Sequence, residues 1–171
     1  MSQPTLSQEA ADLRNYLTGQ REHVLGAVEN LSEQDMRRPV LPTGWSAAGL
    51  VQHLALDVER FWFRRVMTGE EAAPDEFSAP GDNAWVVRPE VSAADVVGLY
   101  RREIERADKI IAATAVDTPP AWWPDFFPPS FHLDNLRQVL LHVISETACH
   151  AGHLDAVREL IDGRTWLILP R

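Results

Sequence analysis

Cysteine and lysine are almost missing from this chain, and so is any long apolar run. The lone cysteine, Cys149, has no partner for an intrachain disulfide, which fits a reducing compartment. No stretch approaches the roughly 20 apolar residues that a bilayer span needs, so no membrane partner is expected. The opening "MSQPTLSQEA" lacks a basic start and an apolar run, and no secretory signal is expected either. The cytoplasm is the default location. Lys109 is the only lysine; Lys and Arg together number 16 against 25 Asp and Glu, a net charge of −9. Nucleic-acid affinity comes largely from clustered cations, so the balance argues against a nucleic-acid partner. The small basic groups Arg64-Arg65 and Arg101-Arg102 read as solvated helix faces.

What is present is a chain of 171 residues, 45% hydrophobic, enough for a single domain over residues 1–171 with a real apolar core. Leu6, Ala10, Leu13, Leu17, Val24, Val28 and Leu31 recur at helical spacing, which predicts a first helix from about Leu6 to Leu31. Pro39 and Pro42 stop it. A second helix is expected from an N-cap at Ser46 to Met67, with Gly69 as terminator. Residues 70–91, with three prolines and a Gly-Asp-Asn turn signal, read as a long crossover loop. Ser92 and Asp95 form a capping-box pattern before a third helix with a seam of Val97, Tyr100, Ile104, Ala107 and Ile111. The proline-dense "DTPPAWWPDFFPPSFH" is a second loop, and Asp134 is the expected cap of a fourth helix ending near Gly163. The expected fold class is all-α, a four-helix bundle with a long crossover between helices 2 and 3.

The fourth helix, "LLHVISETACHAGHLDAVRELIDG", carries polar residues where a core stripe should run. With His142 at zero on a helical wheel, Glu146 falls near 40°, His150 near 80° and His153 near 20°. Apolar Val139, Val143, Leu154, Val157, Leu160 and Ile161 occupy the same sector, from roughly 0° to 120°. A carboxylate so placed must be neutralised, paired, hydrogen-bonded or bound to a cation. Glu146 and His150 lie one turn apart and can reach one point. On the second helix, His53 borders the apolar face and adds a third candidate, with Asp57 on the same edge. His53, Glu146 and His150 would form a two-histidine, one-carboxylate set with an open position. That set suits catalytic zinc, with nickel, iron and manganese as alternatives. As an ordinary helical pair, Glu146 and His150 would be an i,i+4 contact and nothing more.

"TGWSAAGLVQHLALDVERFWF", followed at long distance by that fourth helix, resembles the DinB/YfiT-like metal-dependent superfamily, and more closely its actinobacterial branch of mycothiol-dependent enzymes. The resemblance covers nearly the whole chain, "YLTGQREHVLGAVENLSEQDMRRPV" included. It implies a four-helix bundle with a crossover after the second helix, and metal ligands at His53, Glu146 and His150. The glutamate at 146 resembles the mycothiol-dependent maleylpyruvate isomerases, which carry an additional C-terminal domain that this chain is too short to contain.

The expected function is a metal-dependent thiol transferase that joins a low-molecular-weight thiol, mycothiol, to an electrophilic small molecule. The rivals are a thiol-dependent isomerase, a metal-dependent hydrolase and a non-catalytic binding bundle. His153, one turn beyond His150, either orients the thiol or substrate or is an ordinary rim histidine. His142 is expected to pair with Glu146, and Asp57 to orient His53, to carry a substrate contact or, more simply, to stand solvated at the edge. Trp45 either walls the pocket or packs. Cys149 reads as a packed, inert thiol, and His23 and His132 carry no role. "AWWPDFFPP" is expected to cap the open end of the bundle, with a lid, substrate contact or homodimer contact as functional alternatives. "TWLILP" should pack on the bundle or on a second subunit.

Overall fold

The computed structural model describes residues 7–71, 77, 81 and 83–166. Leu6 and Leu167–Pro170 of the expected first helix and tail lie outside the described residues, as do several crossover positions. Each helix starts where a short polar side chain replaces a missing helical partner. Ser7 accepts from the Ala10 amide at the head of α1 (Gln8–Ala27). Ser32 does so for α2 (Glu33–Arg37), a short helix that the sequence did not announce. Ser46 opens α3 (Ala47–His53), and the reciprocal Ser92–Asp95 capping box opens α4 (Ala93–Ala113). At α5 (Leu136–Asp162) the cap is Asn135 rather than the expected Asp134, because the Asn135 side chain is the one that accepts from the Gln138 amide. Gly163, at φ 75°, ends α5 in the left-handed conformation that glycine adopts without strain.

Beyond His53 the second long helix continues as a 14-residue π-helix (Leu54–Met67). Its burial repeats every four residues: Leu54, Val58, Trp62 and Val66 face inward, as do Ala55, Glu59, Phe63 and Met67. An α-helix drifts by about 40° over each four-residue step. The wider i→i+5 turn removes that forward drift. His53, Asp57, Phe61 and Arg65 therefore keep to one flank, none of them buried.

The helices form an all-α bundle, with no strand among the described residues. α1 packs chiefly on α5, and α4 on the π-helix. Glu9, His23 and Ala27 of α1 meet Arg137, Asp155 and Arg158 of α5 in the same order, so these two helices run parallel. α5 runs against the second long helix, since His53 meets His150 while Trp62 meets His142. Of the expected third-helix seam, Tyr100, Ala107 and Ile111 are buried and Val97 and Ile104 only half-buried, with Val96, Leu99 and Glu103 taking the interior beside them. Leu160 of the expected fourth-helix stripe is exposed.

The burial of Glu103 in α4 has an electrostatic basis. Buried Glu103 accepts hydrogen bonds from Arg60, Arg64 and Arg106 at 2.9 to 3.2 Å. Arg64 is thus part of the interior network and not a solvated face, while Arg101 and Arg102 are exposed. Arg21 of α1 donates twice to Glu59, at 2.7 and 2.6 Å, and once to Asp108 at 2.8 Å. Burial pushes the Glu59 carboxyl up and the Arg21 guanidinium opposes that. Arg158 donates to the Ala27 and Glu29 carbonyls, satisfying the open end of α1.

Removing one partner from a buried pair leaves an uncompensated charge, whereas replacing both by apolar residues does not. Glu59→Leu should therefore cost about 3–5 kcal/mol in urea unfolding. The double variant Arg21→Met/Glu59→Leu should be more stable than Glu59→Leu alone. A Glu59→Leu protein as stable as the parent would show that the pair does not hold the bundle.

Candidate functional site

His53 sits where α3 passes into the π-helix, and Glu146 and His150 sit one turn apart on α5. One ligand atom from each of the three lies within 4.8 Å of the others. His150 Nε2 is 3.4 Å from a Glu146 oxygen, and the His53 and His150 rings meet edge-on with centroids 5.1 Å apart. The helical wheel puts Glu146 and His150 inside the buried stripe and His53 at the edge of its own; the structure puts all three on a flank. Thr147, Ala151 and Leu154 take the interior, and the Glu146 side chain is 41% exposed.

The ring nitrogens are already sorted. His53 Nδ1 is 2.9 Å from an Asp57 oxygen, which leaves Nε2 free to turn toward the other two residues. Burial, then the neighbouring His53, pushes the His150 imidazole down, with Glu146 opposing. A neutral imidazole is the form that donates a lone pair to a cation. Two imidazoles and a carboxylate, one imidazole steadied by a second carboxylate, are a donor set that fits a divalent metal. Asp57 thus meets His53 while standing exposed at the edge, so the orienting and the solvated expectations both hold.

Trp85 was missed by the sequence reading, since nothing in a loop tryptophan announces its target. Its ring stacks on His53 at 4.3 Å and meets His150 edge-on at 5.5 Å. The loop is held by Gln52, whose amide donates to the Ala84 and Val86 carbonyls. It also approaches α3 at Gly49, where a Cβ would stand 2.2 Å from the Trp85 carbonyl oxygen. Trp45 leans on Trp85 and on His153, and exposed His153 has its Nδ1 3.4 Å from that of His150.

On the other side, His53 and Glu146 open onto a cleft of about 430 Å³. Phe61 and Trp62 of the π-helix wall it, with Phe126, Phe127 and Phe131 from the second loop. The aromatic loop therefore lines the site as well as covering the bundle. His142 does not simply pair with Glu146: its ring lies 4.5 Å from Trp62 and 5.7 Å from Phe131. Burial pushes that imidazole down as well. Cys149 is exposed, not packed. His23 has a structural role, bonding Asp155 at 2.8 Å and stacking on Trp166, which packs against Gly26.

An all-α bundle with a His-Glu-His cluster beside an apolar cleft defines a class of small-molecule enzyme scaffold. A sequence profile of the family described as Mycothiol-S-transferase matches residues 12–163. The chain belongs to that family, and its function is that of a mycothiol S-transferase. None of the curated proteins matches the chain. No helix among the described residues is long and apolar enough to cross a membrane.

Alanine is the better helix former, by about 1 kcal/mol over glycine. At position 49 the steric term should win, because the atom in the way is backbone. Gly49→Ala is expected to destabilise the protein by about 1–3 kcal/mol and to shift its tryptophan emission. Unchanged stability and emission would mean that the Trp85 roof is not fixed by this contact.

Proposed function

We propose that the protein is a metal-dependent mycothiol S-transferase in which His53, Glu146 and His150 hold a divalent ion, zinc in the first instance. The observation that carries this reading is the convergence of three ligand atoms beside an open cleft in a member of a mycothiol-S-transferase family. Two nitrogens and one oxygen suit zinc with a position left open; nickel, iron and manganese accept the same donors. A cation held there supplies the charge that favours the thiolate of a sulfhydryl whose free pKa is about 8.5. Asp57 keeps His53 in the tautomer that presents Nε2, and Trp85 covers both imidazoles against water. His153, at the exposed rim, is assigned to the polar part of the thiol. The carbon–sulfur bond forms as the leaving group departs with the bonding pair. We place this activity in the cytoplasm, in a single domain.

The purified protein should hold about one divalent ion per chain by mass spectrometry, lost in His53→Ala and in His150→Ala. Asp57→Asn should lower metal affinity roughly 10- to 100-fold while leaving the ligands themselves intact. Glu146→Gln should weaken retention, and Glu146→His should preserve it. Stoichiometric metal in all of these variants would show that the ion sits elsewhere.

Product formation should require both metal and mycothiol. His150→Ala should lose the rate while keeping its far-ultraviolet helical spectrum. Turnover of an ester without thiol would instead make the protein a hydrolase, and regeneration of the thiol during conversion of maleylpyruvate would make it an isomerase.

A further inference from the structure

The cleft beside the triad has a composition that the transferase reading does not account for. Among the described residues lining it are five aromatic side chains and no lysine or arginine. Trp62 and Phe127 lie nearly parallel, 7° apart with centroids at 5.8 Å, and Phe61 meets Phe127 edge-on. Phe126 stands exposed at the mouth, its ring 4.8 Å from that of Phe127 and 6.2 Å from that of Phe61. The charged groups lining the cleft are Asp57 and Glu146, and both are engaged with the histidines of the triad. Arg65, the next residue along the Asp57–Phe61 flank, lies over the Trp122 ring at 4.1 Å and pairs with Glu71.

From this arrangement we propose that the cleft seats an uncharged, flat aromatic molecule and discriminates against anionic ones. That the seated molecule is the electrophile rests on the transferase reading above. An aromatic ring entering the cleft gains stacked and edge-on partners. A carboxylate entering it surrenders its water and finds no lysine or arginine in return; the two charges of an ion held by the triad would already be met by Glu146 and the bound thiolate, with Asp57 close by, so no positive charge is left over for it. A volume of about 430 Å³ is in the range of small-molecule sites. The hydroxyl-rich part of the thiol finds few free polar groups here. It belongs on the far side of the triad, with Trp45 and His153.

The preference can be read without turnover. Tryptophan quenching of the full-length purified protein, loaded with zinc and with mycothiol present to fill the open position, is titrated with 1,3-dinitrobenzene and with 3,5-dinitrobenzoate, neither of which has a leaving group. The uncharged compound should bind at least about tenfold more tightly, and Phe127→Ala should weaken it by about tenfold. Phe126→Arg, at an exposed position that folding does not depend on, should narrow the gap between the two. Equal or tighter binding of the benzoate would overturn the proposal, as would unaltered binding in both variants. Competitive displacement of dinitrobenzene by S-methyl mycothiol would give the cleft to the thiol and overturn it equally.

A second arm supplies mycothiol with 1-chloro-2,4-dinitrobenzene or 4-chloro-3,5-dinitrobenzoate. The thiol loses its proton to solvent, sulfur bonds to the ring carbon, and chloride leaves with the electron pair of the broken bond. Above the uncatalysed background, kcat/KM should favour the uncharged ring at least about tenfold. Binding preference without turnover of either chloride would overturn the transferase reading and leave the selectivity of the cleft standing. Turnover at equal rates without binding preference would do the reverse.

Discussion

The bundle is organised around a charge pair that most sequences avoid burying. Arg21 and Glu59 meet between α1 and the π-helix, two elements that each pack mainly on other neighbours. A paired charge removed from water must be matched in direction as well as in sign, because each lone pair left open costs free energy. Two parallel bonds from a planar guanidinium meet that demand. Asp108 joins from α4, so the pair fixes the relative height of three helices at once. The Glu103 network, with Arg60 and Arg64, repeats the device between α4 and the π-helix. Apolar contacts alone tolerate sliding by a residue; these bonds do not.

The site inherits that rigidity. With Glu59 held, the π-helix cannot rotate, and the flank bearing His53, Asp57 and Phe61 stays turned toward α5. That rotation determines whether His53 meets His150. Gly49, one turn before His53, and Gln52, next to it, then set the depth of the Trp85 loop. The cleft and the donor cluster are thus two faces of one placement. One side of His53 is roofed by an indole, and the other opens between Phe61, Trp62 and the aromatic loop.

Much of this was legible in the residues. Ser46, Ser92 and Gly163 act locally, so the helix ends they mark could be read from short motifs. The donor cluster was legible because Glu146 and His150 are conspicuous among apolar neighbours. His53 was reachable by the same reasoning on a second helix. Glu59 and Glu103 were not legible. A lone glutamate on an amphipathic helix normally faces water, and the arginine partners Arg21, Arg60 and Arg64 lie 38 to 43 residues away in sequence. The π-helix was invisible for a related reason, since a wheel built on 3.6 residues per turn assumes the geometry it is meant to test. Trp85 and the phenylalanines of the second loop sit in irregular segments, where no periodicity says which way a side chain turns.

The parallel pairing of α1 with α5 has a consequence for biosynthesis. The bonds joining them link residues 128 to 132 positions apart, among the longest separations in the molecule. At about 5–20 residues per second, α1 leaves the ribosome roughly 6 to 26 seconds before its partner exists. During that interval Leu17, Val24 and the guanidinium of Arg21 have no finished core to enter, so closure of the bundle waits for the last helix to be made. The donor cluster shares that timing, because Glu146 and His150 arrive on the same helix that completes the fold.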